Sequence, residues 1–272
     1  MKTLENQTLL FDEDCPLCRL YTSAFVNTGM LDENGKKPYS QINNNEHSFV
    51  DLKRASNEIA LVDNKNKKVI YGIDSLLKII GHSFPFVEKI GNIKPIKFLL
   101  KKLYSFISYN RKVIIPSQMN KEVKLQCIPD FSFKYRLIFI GFATLITTFV
   151  LYNFSRLISI LPKSTIGREL ILATGQIVFQ GMFLIKFDSK TILNYIGNLM
   201  TVSLMGSLLL IPILIVHSIF NVSELISLIW FGTVVSIMLF EHSRRVKILE
   251  LPFYLSITWV IYRIVTLSFI LN

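Results

Sequence analysis

Cysteine and histidine are scarce in this chain of 272 residues. The three cysteines stand at 15, 18 and 127, and the four histidines lie apart at 47, 82, 217 and 242. A structural zinc site takes about four ligands, commonly two CxxC pairs or one pair with two histidines, so this inventory argues against a resident metal. No haem-type histidine pair or other cofactor motif is present, and the expectation is no metal and no cofactor. A single CxxC in a reducing compartment is catalytic or redox-sensing rather than a structural staple. No secretory leader is expected, because the first apolar stretch is short and runs straight into acidic residues. Proline is missing between Pro38 and Pro85.

Acidic residues are also in short supply, with 19 Asp+Glu against 30 Lys+Arg, and the shortage is uneven. Residues 1–135 hold 20 Lys+Arg and 14 Asp+Glu, whereas residues 136–272 hold only 10 and 5. The second half therefore reads as membrane and the first as a water-exposed domain. Five spans are expected, at about 137–154, 167–185, 199–220, 222–240 and 251–271, each near the length that crosses a bilayer. The second carries Arg168, Glu169, Gln176 and Gln180 and is the least apolar. With the amino terminus inside, Lys134, Arg136, Lys186, Lys190, Arg244, Arg245 and Lys247 flank the spans on the inner side. Arg156, Lys163 and Arg168 flank them outside, which suits the positive-inside rule. The expected localisation is the inner (cytoplasmic) membrane, multi-pass, with the amino-terminal domain cytoplasmic and the carboxyl terminus outside.

What the sequence does carry is Leu9-Leu10-Phe11-Asp12-Glu13-Asp14-Cys15-Pro16-Leu17-Cys18: an apolar strand, an acidic turn and CxxC. Pro16 suits a first helical position, which puts Cys15 at the helix start and Cys18 one turn in, on the same face. The sulfurs are then close enough for a disulfide, and the positive helix end favours the Cys15 thiolate. Cys15 is expected to be the exposed attacking thiol and Cys18 the more buried resolving thiol. Two buried thiols acting as small hydrophobes are the plainer reading. Hydrophobic-Asp-x-Asp also resembles the nucleophile motif of haloacid dehalogenase-like phosphatases. Pro16 and Leu17 hold the places of that family's Thr or Ser, and no later acidic pair follows for magnesium.

Residues 7–11 predict a buried strand and 16–28 a helix ending at Gly29. A second strand is expected at 38–42, a second helix at 46–55, a hairpin of 59–62 with 68–71, and a helix over 74–80 opened by Gly72. The order βαβαββα is that of a small thioredoxin-like domain. Residues 8 to about 115 resemble the DCC family of thiol–disulfide oxidoreductases, also known as DUF393. The resemblance is carried by Phe11-Asp12-Glu13-Asp14-Cys15-Pro16-Leu17-Cys18, by Tyr71-Gly72-Ile73-Asp74-Ser75-Leu76 and by Tyr109-Asn110-Arg111. That family usually has Asp-Gly-Asp-Cys-Pro-x-Cys, so Glu13 replaces a glycine. The resemblance implies a thioredoxin-like fold and dithiol–disulfide exchange, with Cys15 and Cys18 as the redox pair. Asp12, Asp14, Pro16, Gly72, Asp74 and Arg111 are the supporting motif residues. Nearby carboxylates raise a thiol pKa, so Asp12 and Asp14 act either as proton acceptors or as turn and cap formers. Thioredoxins broadly hold a cis-proline opposite the CxxC, and this chain has no proline there.

The expected fold class is thus an α/β thioredoxin-like domain over 1–92, a basic amphipathic helix and juxtamembrane linker over 93–135, and a transmembrane helical bundle over 136–272. In the linker, Ile96, Leu99, Leu100, Leu103, Phe106 and Ile107 recur at helical spacing, with Lys94, Lys97 and Lys101 on another face. Such a helix either lies on an anionic leaflet or closes the domain core with a solvated lysine face. Membrane accounts for the charge, and no nucleic-acid partner is expected. Cys127, about ten residues before the first span, is either a relay thiol toward Cys15 or a structural cysteine. Arg263 lies near the middle of the last span, where charge is costly. It shares its half of the membrane with Glu169, His217 and Glu224 near span ends and with Gln176 deeper; pairing with one of the carboxylates would define a polar pocket, and the alternative is snorkelling to the interface. The expected partners are membrane lipid and either a protein thiol or disulfide substrate or another membrane protein. The leading expectation is a membrane-anchored thiol–disulfide oxidoreductase; the alternative is a non-enzymatic assembly subunit with a redox-sensitive domain.

Overall fold

Leu9 and Leu10 are both fully buried although they point to opposite faces of their strand, so the strand that leads to the CxxC lies between two packed layers. The computed structural model describes residues 2–117 and 129–271, and the chain divides into two compact units, Met1–Tyr135 and Arg136–Asn272. In the first unit, β1 (Gln7–Phe11) leads into α1 (Pro16–Asn27) and β2 (Lys36–Pro38). Two short helices, α2 (Asn44–His47) and α3 (Leu52–Asn57), precede the hairpin of β3 (Ala60–Asp63) and β4 (Lys68–Tyr71). Three helices follow: α4 (Ile73–Ser83), α5 (Pro85–Gly91) and α6 (Lys94–Ile114). The sheet order is β2-β1-β3-β4, with β1 parallel to β2 and both other pairs antiparallel. One face buries Leu10, Ala60 and Val62 under Tyr39, Val50 and Ala55. The other buries Leu9 and Leu61 under Leu31 and Ile79.

Local chemistry sets the boundaries. Gly29 adopts a φ of +71° just past α1, and the amide of Met30 donates back to the Phe25 carbonyl at 2.9 Å, closing the helix. The hairpin turn is tied by Asp63, whose Oδ1 accepts from the amides of Lys65 at 3.1 Å and Asn66 at 3.0 Å. Two expectations are corrected. The second strand covers Lys36–Pro38 rather than 38–42, because Pro38 has no N–H to continue a ladder and the chain turns into a 3-10 turn over Tyr39–Gln41. The helix expected over 46–55 is two helices. The Asp51 side chain accepts from the Arg54 amide at 3.0 Å and starts a new helix there.

The second unit is helical: α7 (Phe133–Ser155, which begins just before the boundary), α8 (Ile166–Met182), α9 (Ser189–Phe220), α10 (Glu224–Ile248) and α11 (Tyr254–Leu271). Four of these, α7, α9, α10 and α11, are long and apolar enough to cross a membrane. At 32 residues, α9 begins ten residues before the expected span and rises about 48 Å at 1.5 Å per residue. The polar residues of α8 are not scattered. Glu169, Gln176 and Gln180 recur with Ala173 on one face and are buried, while Ile171, Val178 and Met182 are exposed. Gly206 lets α9 approach α10, since a side chain there would collide with Met238, whereas Gly167 and Gly181 stand in open space. The core joins Phe154, Tyr195, Leu199, Leu210 and Trp259.

Gly72 is the strictest backbone position of the first unit. Its φ of +63° with ψ of −137° at the start of α4 is a conformation open essentially to glycine alone. A Cβ there would stand 2.9 Å from Glu58 Oε2. Gly72→Ala is expected to destabilise the amino-terminal unit by about 1–3 kcal/mol. Chemical denaturation followed by far-ultraviolet circular dichroism checks this, and an unchanged midpoint would contradict it.

Candidate functional site

Cys15 caps α1. It has extended backbone angles (φ −92°, ψ 110°), Pro16 follows as the first helical residue, and the Cys18 amide donates to the Cys15 sulfur at 3.4 Å. The cap position thus holds a sulfur where Ser, Asp or Asn is usual, and an anion there gains from the helix end. Both thiols are free in this state. The Cys18 thiol donates to Cys15, and this hydrogen bond leads in lowering the Cys15 pKa to about 6, against burial, with the Arg111 charge adding to the fall. Cys18 is pushed far up by the same hydrogen bond and by burial. The pair is therefore asymmetric, with Cys15 the more acidic thiol. The expected exposure does not hold: Cys15 is 1% and Cys18 3% accessible, packed with Phe11, Leu17 and Tyr21. An apolar strand end and the helix that it feeds close over both sulfurs.

Asp12 is an organiser of this turn. Its Oδ1 accepts from the Asp14 amide at 3.1 Å. Its Oδ2 lies 3.2 Å from Arg111 Nη2 and 3.3 Å from Lys112 Nζ. The Asp12 and Arg111 side chains are 3% and 5% accessible, so this is a buried ion pair joining the first and third motifs across 99 positions of sequence. Arg111 also donates to the Ser56 carbonyl at 3.0 Å. The Asp12 charge opposes Cys15 ionisation, but less than Arg111 promotes it. Glu13 needs no left-handed backbone and accepts from the Ser40 hydroxyl, so its replacement of a glycine strains nothing. The Asp14 carbonyl accepts from Ser117.

The second motif packs elsewhere in the unit. Ser75 donates to the Ile70 carbonyl at 2.6 Å, and Asp74 pairs with Lys97 at 2.8 Å and Lys101 at 3.6 Å. Gly72 and Asp74 therefore shape α4 and its contact with α6 and do not touch the thiols. These ion pairs tie the basic helix to α4. Lys97 and Lys101 turn toward the domain, as do Tyr104, Ser108 and Arg111. The apolar face, with Phe98, Leu99 and Leu103, points outward. Lys94, Lys101 and Lys102 remain exposed, so α6 carries a solvated lysine face as well as this apolar one while it packs on the domain through Tyr104 and Val113.

Tyr21 and Lys112 were not anticipated. Tyr21 lies three residues beyond Cys18 and so shares its helix face, a spacing that could have found it. Burial and the neighbouring Cys18 raise its pKa. Lys112 carries no such signal. Cys127 lies outside the described residues.

The membrane unit separates His217 and Glu224 from Arg263, whereas Glu169 and Gln176 line one cavity with it. Glu224 sits at the exposed start of α10, accepting from the Ser159 hydroxyl at 2.6 Å. His217 lies in the last turn of α9. Glu169 is buried and pairs with Arg168 at 2.7 Å. Among the described residues Arg263 has no carboxylate partner. It donates to Gln176 Oε1 at 3.3 Å and stacks 4.4 Å over the Trp259 ring. A second buried polar group lies beside it: the Tyr195 hydroxyl contacts His242 Nε2 at 3.0 Å and donates to Gln180 Oε1 at 2.9 Å, and His242 stacks on Trp259. Trp259 stands four residues before Arg263, the one spacing that could have predicted this pairing.

Because its depressed pKa makes Cys15 the acidic thiol, its thiolate should dominate above about pH 6 and disappear as pH falls through that value. The ultraviolet thiolate absorbance of the Cys127→Ser protein measures this without requiring access to the sulfur. Cys18→Ala should move the midpoint upward by removing the leading cause, and Arg111→Met should move it upward by less. A Cys18→Ala midpoint at or below that of the parent would refute the assignment. A scan against protein-family models matches no family, and comparison with the curated proteins and with the solved structures gives no match.

Proposed function

We propose that the chain is a membrane-anchored thiol–disulfide oxidoreductase of the DCC type, with a thioredoxin-like amino-terminal domain. The observation that carries this reading is the acidified Cys15 sulfur at the cap of α1, hydrogen-bonded by Cys18 and held near a buried guanidinium. The sheet order β2-β1-β3-β4, with the CxxC at the β1–α1 junction, supports the fold assignment. In the reaction the Cys15 thiolate attacks one sulfur of a substrate disulfide, forming a mixed disulfide and releasing the other substrate sulfur as thiolate. Cys18, after losing its proton to solvent or to the departing thiolate, attacks the Cys15 sulfur. The substrate leaves as a dithiol, and an external dithiol, or two equivalents of a monothiol, must reduce the Cys15–Cys18 disulfide back to the dithiol and leave as a disulfide. Exchange requires the cover of Phe11, Leu17 and Tyr21 to open.

The membrane half anchors this domain. Five spans, with the amino terminus cytoplasmic and the carboxyl terminus outside in an inner membrane, follow from the basic flanks. The outward apolar and inward polar faces of α8 support its counting as the fifth. Lipid is also the partner proposed for α6, whose outward Phe98, Leu99 and Leu103 are accompanied by the exposed Lys94 and Lys102. The burial of both sulfurs favours a second reading, an assembly subunit in which the pair is a redox-sensitive structural element.

Titration of the full-length protein in defined glutathione buffers, with alkylation and mass mapping, separates the two. A reversible Cys15–Cys18 disulfide, and loss of exchange in Cys15→Ser and Cys18→Ser proteins that still fold, are expected for the enzyme. Thiols that stay reduced and unreactive until denaturation would leave the assembly reading in its place.

A further inference from the structure

The membrane unit contains a cavity of about 380 Å³ lined by residues of α7, α8, α9, α10 and α11. That is within the range that holds a small organic ligand. Its wall is mostly apolar, with Phe154, Leu172, Phe231 and Leu267 among its residues, and its polar lining is biased toward donors. Gln176 Nε2, Arg263 Nε, Trp259 Nε1 and the Thr147 hydroxyl are buried without a hydrogen-bond partner among the described residues. Gln176 is only 5% accessible and presents its single satisfied atom, Oε1, to Arg263. Unsatisfied buried donors are costly, and an unpaired charge inside a membrane is more so.

The charges on the wall decide what would relieve that cost. Arg168 and Glu169 neutralise one another at 2.7 Å, which leaves the Arg263 guanidinium as an uncompensated positive charge. A single negative charge completes the site, and a planar carboxylate suits the fork of a guanidinium better than a point anion does. The rest of the wall requires an apolar body attached to that head. Ile264 and Leu267, on the same wall, are exposed on the outer face of α11. In a bilayer that face meets acyl chains, so the ligand has a lateral route from the lipid.

We propose that this cavity binds a monoanionic amphiphile, a long-chain carboxylate whose head is held by Arg263 and Gln176 beside the Trp259 indole. The site is independent of the thiols.

The chain has two tryptophans, so Trp230→Phe leaves Trp259 as the sole indole. The full chain carrying this change, in phosphatidylcholine nanodiscs, is titrated with a brominated long-chain fatty acid and with its methyl ester. Saturable quenching of Trp259 by the acid is expected, with the ester about tenfold weaker for want of the charge-assisted bond. Arg263→Gln in the same background should lose the acid's advantage over the ester. Equal quenching by acid and ester, quenching that only rises with total brominated lipid, or an Arg263→Gln protein that keeps the advantage would each overturn the proposal. The comparison of acid with ester is decisive on its own if Arg263→Gln fails to fold.

Discussion

The first unit depends on one buried ion pair. Asp12 ends the strand that leads to the CxxC, and Arg111 comes from the last turn of α6, so their 3.2 Å contact fastens the two ends of the domain to each other. Two charges out of water are stable only when each finds its full complement of partners. Here the Asp14 amide and Lys112 bind the carboxylate, and the Ser56 carbonyl binds the guanidinium. The pair thereby holds the acidic turn in shape and places a positive charge where it favours a thiolate, although the carboxylate in it acts in the opposite sense. What Asp12 costs Cys15 in acidity it returns as the anchor of Arg111.

The same arrangement recurs in both units: polar groups turn inward and leave apolar groups outward. In α6 the lysines nearest Asp74 are drawn to the domain and leave Phe98, Leu99 and Leu103 outside. In α8 the carboxylate and two amides face the interior of the helical unit. A hydrocarbon solvent gives no reward for hiding leucine and a large one for hiding glutamine. The outcome is a membrane unit with a polar interior, in which Gln180, Tyr195 and His242 satisfy one another while Gln176, Trp259 and Arg263 keep donors in reserve.

Much of the fold was legible in the sequence because it depended on local signals. A proline after Cys15, a glycine after α1, a polar turn between two apolar runs and a glycine before α4 each act within a few residues, and each produced the element expected. The failures were also local in cause. Pro38 ended a strand where a start was expected, and Asp51 restarted a helix through its side chain. Helices α9 and α10 run longer than the expected spans because a helix continues for as long as its backbone remains bonded, whatever the polarity of its ends.

By itself the sequence determined the dithiol, its position at a helix start and the division between a charged half and an apolar half, since spacing and composition carry those facts. Only the tertiary structure decided that Cys15 is covered, that Asp12 meets Arg111 across the domain, and that Arg263 finds an amide and an indole in place of a carboxylate. The ion pair and the Arg263–Gln176 bond join segments distant in sequence, and their partners are chosen by which groups the packing brings together and leaves without water. No periodicity along the chain encodes that choice.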